Sequence, residues 1–370
     1  MPHDIFGERF VSYRQPAWHG LGSIVQDLTT ANEALDLMGE VRVEALPLSI
    51  ALPGYEGVDV PYRVLMRAPT EDDPEWVPFG TVSEDYNLIN PRRFAELWDT
   101  SVGKPIETLG FLKRGGLMFV TTKLPTMDIR GDEVENYLIA VNGMTGSNCA
   151  EARVSPVRVV CANTLAASAA AQTEAYRVVH DATAEERLAL WLGDMYHKAE
   201  EQIGVLREVF SILSNTPVAP AGSRMVKAPW STVGKLPEAL ATTVELAYPY
   251  PRSPRRNAPE SVLKSREEYT EYIRKGQELR RNATVALFEG EGRGMDHPAA
   301  KGTLWGLYNA VVETEDYRRG GYSEDNTAFE RLFGERAQTK ERAFETCLAL
   351  ANGDDPRKIK RFANVGLITK

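Results

Sequence analysis

The sequence predicts an α+β chain: a largely antiparallel, β-rich N-terminal domain with inserted helices over residues 1–180, and a mostly helical domain over 181–370. Three observations predict it. Short β-branched and aromatic runs bounded by turn residues fill the first half. A Gly-Gly pair between two such runs, at Gly115-Gly116, marks a hairpin. Beyond Asp181 the apolar residues switch to spacings of three and four, the period of a helix. Hydrophobic residues make up 43% and charged residues 26% of the 370 residues, so the chain can bury more than one core and is not of disordered composition.

In the first half, the Pro- and Gly-bearing stretch 15–22 reads as an ordered entry loop. Thr30 with Glu33 forms a capping-box pattern ahead of a helix over 31–39, and Gly39 supplies its stop. Strand-like runs follow at 41–50, 62–67 and 76–82, with the acidic stretch 71–75 as the loop before the last. Asn90-Pro91 starts a helix over 92–100, because proline fits the first helical position. Runs at 106–112 and 117–124 flank Lys113-Arg114-Gly115-Gly116. A further strand pair is expected at 137–141 and 154–161, then a small-residue helix over 165–172.

In the second half, Thr183 with Glu186 repeats the capping-box pattern. Leu188, Leu192, Met195, Ala199, Gln202, Leu206, Val209 and Leu213 then form a heptad seam with one polar interruption. Such a seam pairs either with another helix of the same chain or with a second subunit, so a homo-oligomer through 183–213 is an expected partner arrangement. Stretches 214–229 and 248–259 are rich in proline and read as linkers. Helices are expected over 236–246, 260–289, 302–314, 326–350 and 356–363, with Gly290 to Gly294 breaking the second.

The formal net charge is −9, so the global field does not steer the chain to nucleic acid and any such contact needs a local basic patch. One patch exists. Arg252, Arg255, Arg256, Lys264, Arg266, Arg274, Lys275, Arg280 and Arg281 crowd one segment, with Tyr269 and Tyr272 interleaved. Guanidinium and ammonium groups neutralise phosphates, and tyrosines stack on unpaired bases. Lys113 and Arg114 on the hairpin tip, Arg92 and Arg93 on the helix before it, and the tail residues Arg357, Lys358, Lys360, Arg361 and Lys370 add smaller clusters. The alternative for every such run is a solvated helix face.

Catalytic signatures are scarce. Gly290-Glu-Gly-Arg-Gly294 follows a helix and lacks the Gly-Lys-Ser/Thr of a phosphate loop. Cys161 with His180 is a formal nucleophile-base pair, but the apolar strand around Cys161 favours an inert buried thiol. Cys149, Cys161 and Cys347 imply no disulfide framework. No histidine pair has zinc-ligand spacing. Asp128, Asp132 and Glu133 are the carboxylates to consider for a magnesium ion, in a stretch expected to be a turn. No cofactor is expected. Residues 1–14 carry Asp4 and Glu8 and no apolar core, and no run approaches the ~18 apolar residues that span a bilayer. A cytoplasmic protein without membrane contact is the expectation.

Several strings resemble the phage/plasmid-like family of unknown function. They are Ala17-Trp-His-Gly-Leu-Gly22, Phe79-Gly-Thr-Val-Ser-Glu-Asp-Tyr86, Val157-Arg-Val-Val-Cys-Ala-Asn-Thr-Leu165 and Gly302-Thr-Leu-Trp-Gly306, with Leu332-Phe-Gly334 later. Two positions depart from the family: its Asn-x-His-Asp-Gly-Ser turn is Asn142-Gly-Met-Thr-Gly-Ser147 here, and its Arg-His-Thr is Val179-His-Asp181. The resemblance implies a mobile-element context and expression in bacterial cytoplasm, with no established reaction. Arg158 and Asn163 of the motif are candidates to line a site; a sheet-face charge and a helix cap are their structural alternatives. The order of helix, hairpins and helix is also similar to that of ring-forming single-strand annealing proteins.

The expected function is therefore single-stranded DNA binding in phage or plasmid DNA metabolism, extending to strand annealing, without covalent catalysis. Arg255, Arg256, Tyr269, Tyr272, Arg274, Lys275, Arg280 and Arg281 would carry it, joined by Lys113, Arg114, Arg158 and Asn163. The alternatives are a protein–protein assembly role through the heptad seam, and a metal-dependent nuclease built on Asp128, Asp132 and Glu133.

Overall fold

The computed structural model describes residues 5–13, 22–27, 30–39, 41–51, 53–54, 57–147, 149–158, 163–164, 176–251, 260–317 and 335–358. Strands β1 (Ile5–Tyr13) and β2 (Ser23–Val25) lead into helix α1 (Ala31–Met38). The capping box forms: Thr30 Oγ1 accepts the Glu33 amide at 3.2 Å, and Glu33 Oε2 accepts the Thr30 amide at 3.0 Å. Strands β3 (Val43–Ile50), β4 (Val58–Arg67) and β5 (Val77–Ser83) make a three-stranded antiparallel sheet. Helix α2 (Pro91–Ser101) begins where Asn90-Pro91 predicts, and Asn90 Oδ1 accepts the Arg93 amide at 2.9 Å.

Strands β6 (Thr108–Leu112), β7 (Leu117–Ile129), β8 (Asp132–Gly143), β9 (Ala150–Arg158), β10 (Asn163–Thr164) and β11 (Tyr176–Val178) complete the main sheet with β1 and β2. Its order is β10-β9-β8-β7-β6-β1-β2, with β11 also on β9. Every pairing in it is antiparallel except β1 with β2. The β7–β8 hairpin is longer than its apolar runs suggest. Arg130 and Gly131 turn it with φ of 56° and 86°, the left-handed pair that a two-residue hairpin needs. The stretch around Asp128, Asp132 and Glu133 is thus the closed end of a paired hairpin, with Asp128 directly opposite Glu133.

Helix α3 (Ala184–Asn215) crosses β7, β8 and β9. Its capping box does not form. Thr183 makes no side-chain cap, and Asp181 Oδ1 instead accepts the Thr183 amide at 3.0 Å. Every seam residue from Leu188 to Leu213 is buried within the chain, Gln202 at 8% exposure being the least so. The sheet and the later helices bury these seam residues within the chain, so the seam itself is not presented to a second copy as the expected homo-oligomer through 183–213 requires.

The stretch 214–229 is not a free linker. It holds β12 (Met225–Lys227), which pairs with β13 (Lys235–Pro237), and Pro217 bridges to Thr303. Helices α4 (Glu238–Ala247), α5 (Glu260–Ala286), α6 (Leu304–Tyr317) and α7 (Glu335–Ala351) follow. A single π-type turn, Leu287–Glu291, ends α5, with Gly290 at φ 129°. Helix α6 is the hub. It packs against α3, α5 and α7, and Leu304 through Asp316 are all buried. A Cβ on Gly306 would collide with the Ala300 carbonyl, so this position in the Gly-Thr-Leu-Trp-Gly string takes glycine. One continuous apolar cluster runs from Phe6 to Cys347 through both halves. Among the described residues, no helix is long and apolar enough to cross a membrane.

Candidate nucleic-acid interface

Helix α5 has two faces. Gln277, Arg281, Thr284 and Val285 recur at helical spacing and are buried against the body. The opposite face carries Tyr269 at 66%, Tyr272 at 71% and Leu279 at 73% exposure. Lys275 and Arg280 lie to either side of this stripe. Lys275 is exposed, and Arg280 is half-buried with its Nη1 donating to Gln277 Oε1 at 3.1 Å. Arg274 is exposed but engaged: its Nε lies 3.3 Å from Glu278 and its Nη1 3.8 Å from Glu271.

Arg281 is not part of this surface, which corrects its expected role. It is 3% exposed. Its Nε and Nη2 both donate to the Tyr248 carbonyl, at 3.1 and 2.6 Å. Its guanidinium stacks 3.9 Å from the Tyr250 ring and 5.4 Å from the Trp230 ring. Burial lowers its pKa, against the pull of Tyr250 and the nearby glutamates. The residue pins 248–250 and the Trp230 loop to α5, and a phosphate cannot reach it.

The other predicted basic positions divide. Arg255 and Arg256 lie outside the described residues. Asn163 and Arg158 are register partners in the β10–β9 pair, and their side chains lie outside the described residues. Lys113 and Arg114 occupy the β6–β7 hairpin tip at φ 51° and 56°, left-handed positions costly for side-chain-bearing residues. Arg114 is held there by Asp73 at 2.9 Å, and the same carboxylate oxygen takes Arg67 at 2.5 Å. Arg92 is paired with Asp36 and Arg93 with Glu185, each at 2.6 Å. Arg92, Arg93 and Arg114 are thus committed to carboxylates. Arg357 does reach the α5 neighbourhood. Its Nη2 donates to Thr242 Oγ1 at 3.0 Å and lies 3.8 Å from Glu245, whose other oxygen accepts Trp230 Nε1 at 3.1 Å.

The carboxylate trio does not converge. Asp132 is fully buried and accepts Trp305 Nε1 at 2.9 Å, whereas Asp128 and Glu133 are exposed and Asp128 Oδ1 accepts the Gly131 amide at 2.9 Å. Among the described residues, no three His, Cys, Asp or Glu side chains are placed to share a metal ion.

A second cluster joins segments that are far apart in sequence. His180, 3% exposed, stacks on Tyr86 with ring centroids 5.0 Å apart and planes at 29°. Asn142, fully buried, donates to the Ile89 carbonyl at 2.7 Å. The Phe79–Tyr86 string thus meets, in one place, the two stretches at which the chain departs from the family's pattern. Residues 78–231 match DUF932, a domain of unknown function. The DUF932 stretch opens in β5, takes in α2, β6 to β11 and α3, and includes all three of those side chains; α5 lies beyond it. No curated protein and no solved structure matches the chain.

Within the DUF932 stretch, burial lowers the His180 pKa below its ordinary 6.5, although the Asn87 and Gly143 carbonyls beside the ring pull upward. The folded state holds the neutral imidazole, so the unfolded chain binds more protons near and below that value. The resulting stability is complete above about pH 6.5 and is lost as pH falls through the lowered folded value. Urea midpoints are expected to drop between pH 7.5 and 5.5 in the natural chain, and to drop less in His180→Phe. Equal drops in both would show that His180 does not carry the effect.

Proposed function

We propose that the chain binds single-stranded nucleic acid along the outer face of α5, in the DNA metabolism of a phage or plasmid and without covalent chemistry. The observation that carries this is the pair Tyr269 and Tyr272. The two rings sit about one turn apart, each about two-thirds exposed or more, and neither packs on a neighbouring ring among the described residues. Large apolar rings left in water at adjacent helix positions are ready platforms for unpaired bases. Lys275 and Arg280 flank them, and Arg274 can exchange its carboxylates for a phosphate. The basic groups are few and glutamates are interspersed, so binding should be modest and strongly salt-dependent.

Replacing both tyrosines by alanine is expected to weaken binding of a labelled oligothymidylate by tenfold or more, since each stacked base contributes about 1–3 kcal/mol. Both side chains are exposed, so thermal stability should hold. An affinity unchanged by the double substitution would sink the stacking role. Leu279, the most exposed of the three, favours a second reading in which an apolar helix docks on the same stripe.

A further inference from the structure

We propose that a second copy of this chain pairs with the outer face of α5 in antiparallel orientation, covering the surface assigned above to nucleic acid. The inference rests on that face being a binding surface, and not on which ligand the tyrosines take. Tyr269, Tyr272, Gly276, Leu279 and Ala283 follow one another at spacings of three, four, three and four, the seam of a two-helix pair. The similar seam on α3 is buried by its own chain; this one is open. Among the described residues, no atom outside the helix's own nearby backbone and Gly276's chain neighbours lies within 4 Å of where a Cβ on Gly276 would stand.

The charges beside the seam select the occupant. Glu268 and Lys275 lie seven residues apart, hence on the same edge of the stripe, and both are exposed. Neither makes an ion pair or hydrogen bond among the described residues, while their neighbour Arg274 is paired with both Glu271 and Glu278. An antiparallel copy related by a two-fold axis between Tyr269 and Tyr272 sets Tyr269 against the partner's Tyr272. Under the same axis Glu268 falls opposite the partner's Ile273, two residues or ~3 Å along the helix from the partner's Lys275, within reach of two long side chains, and Lys275 stands in the same relation to the partner's Glu268, as an isologous contact requires. A parallel pair would instead place Lys275 beside the partner's Arg280, a like-charge contact. The face is therefore complementary to itself in one orientation.

Sedimentation equilibrium of the full chain, without nucleic acid, tests this. A concentration-dependent monomer–dimer equilibrium is expected. Glu268→Lys and Lys275→Glu should each weaken it by about tenfold or more, because each creates two like-charge contacts per dimer. An equimolar mixture of the two variants should regain the natural association, since each then supplies the charge the other lacks. Far-UV circular dichroism of these surface variants should match the natural chain. A strict monomer at all concentrations, a dimer indifferent to both swaps, or a mixture that fails to recover association would each overturn the pairing. Adding excess oligothymidylate to the dimer should shift it to monomer. A chain that pairs as described but takes up no oligonucleotide would remove the nucleic-acid proposal alone.

Discussion

Trp305→Ala should lower the stability of the folded chain by about 3–5 kcal/mol, the usual cost of emptying a large aromatic site. Trp305 is fully buried on α6, with its ring 4.5 Å from Phe210 and 6.1 Å from Tyr308. It is also a tie between the halves of the molecule. Its indole N–H donates at 2.9 Å to Asp132, which is fully buried at the closed end of the β7–β8 hairpin. Close by, Arg130 Nη1 donates to the Ser214 carbonyl at the end of α3 at 2.5 Å. Trp305→Phe separates the two contributions. It keeps most of the ring and removes the donor, and should cost about 1–3 kcal/mol. Urea denaturation followed by circular dichroism reads both. A phenylalanine variant as stable as the natural chain would show that the Asp132 contact contributes nothing.

The second large effect is expected at the other end of α6. Asp316 and Lys340 form a buried ion pair, with side chains 7% and 0% exposed. Removing one partner of such a pair leaves a charge in a poorly solvated place and typically costs about 3–5 kcal/mol. Asp316→Leu is expected in that range. Asp316→Leu combined with Lys340→Met should recover much of the loss, because two well-packed apolar groups replace a pair whose desolvation offsets most of its attraction. Denaturant midpoints of the two single variants and the double variant form the necessary cycle. A double variant as unstable as the worse single one would mean that the pair does more than neutralise itself.

Local chemistry made much of this fold legible. The Thr30–Glu33 capping box, the Asn90-Pro91 helix start and the hairpin at Gly115-Gly116 are all present, because each depends on residues a few positions apart. The seam on α3 was visible as a seam, but not what covers it; only the pairing of β7 to β9 beneath it decides that. The Arg130–Gly131 turn is not legible in the sequence, because a left-handed arginine has no compositional signal, so β7 and β8 read as shorter runs. The interface was legible in part. The periodicity of Gln277, Arg281, Thr284 and Val285 marks an inner face in retrospect. An arginine on it reads as surface charge until the Tyr248 carbonyl and the Tyr250 ring are seen to receive it. His180 could be linked to Tyr86 only by the strands that bring them together.

The most direct measurement is fluorescence anisotropy of a labelled oligothymidylate with the full chain across a range of salt concentrations. If Arg274, Lys275 and Arg280 contact phosphates, the logarithm of affinity should fall against the logarithm of salt with a slope of about −2, about 0.7 per contact for a single strand. Combining Lys275→Ala with Arg280→Ala should flatten that slope toward about −1. No binding at the lowest salt, or binding indifferent to salt, would contradict nucleic-acid recognition by α5.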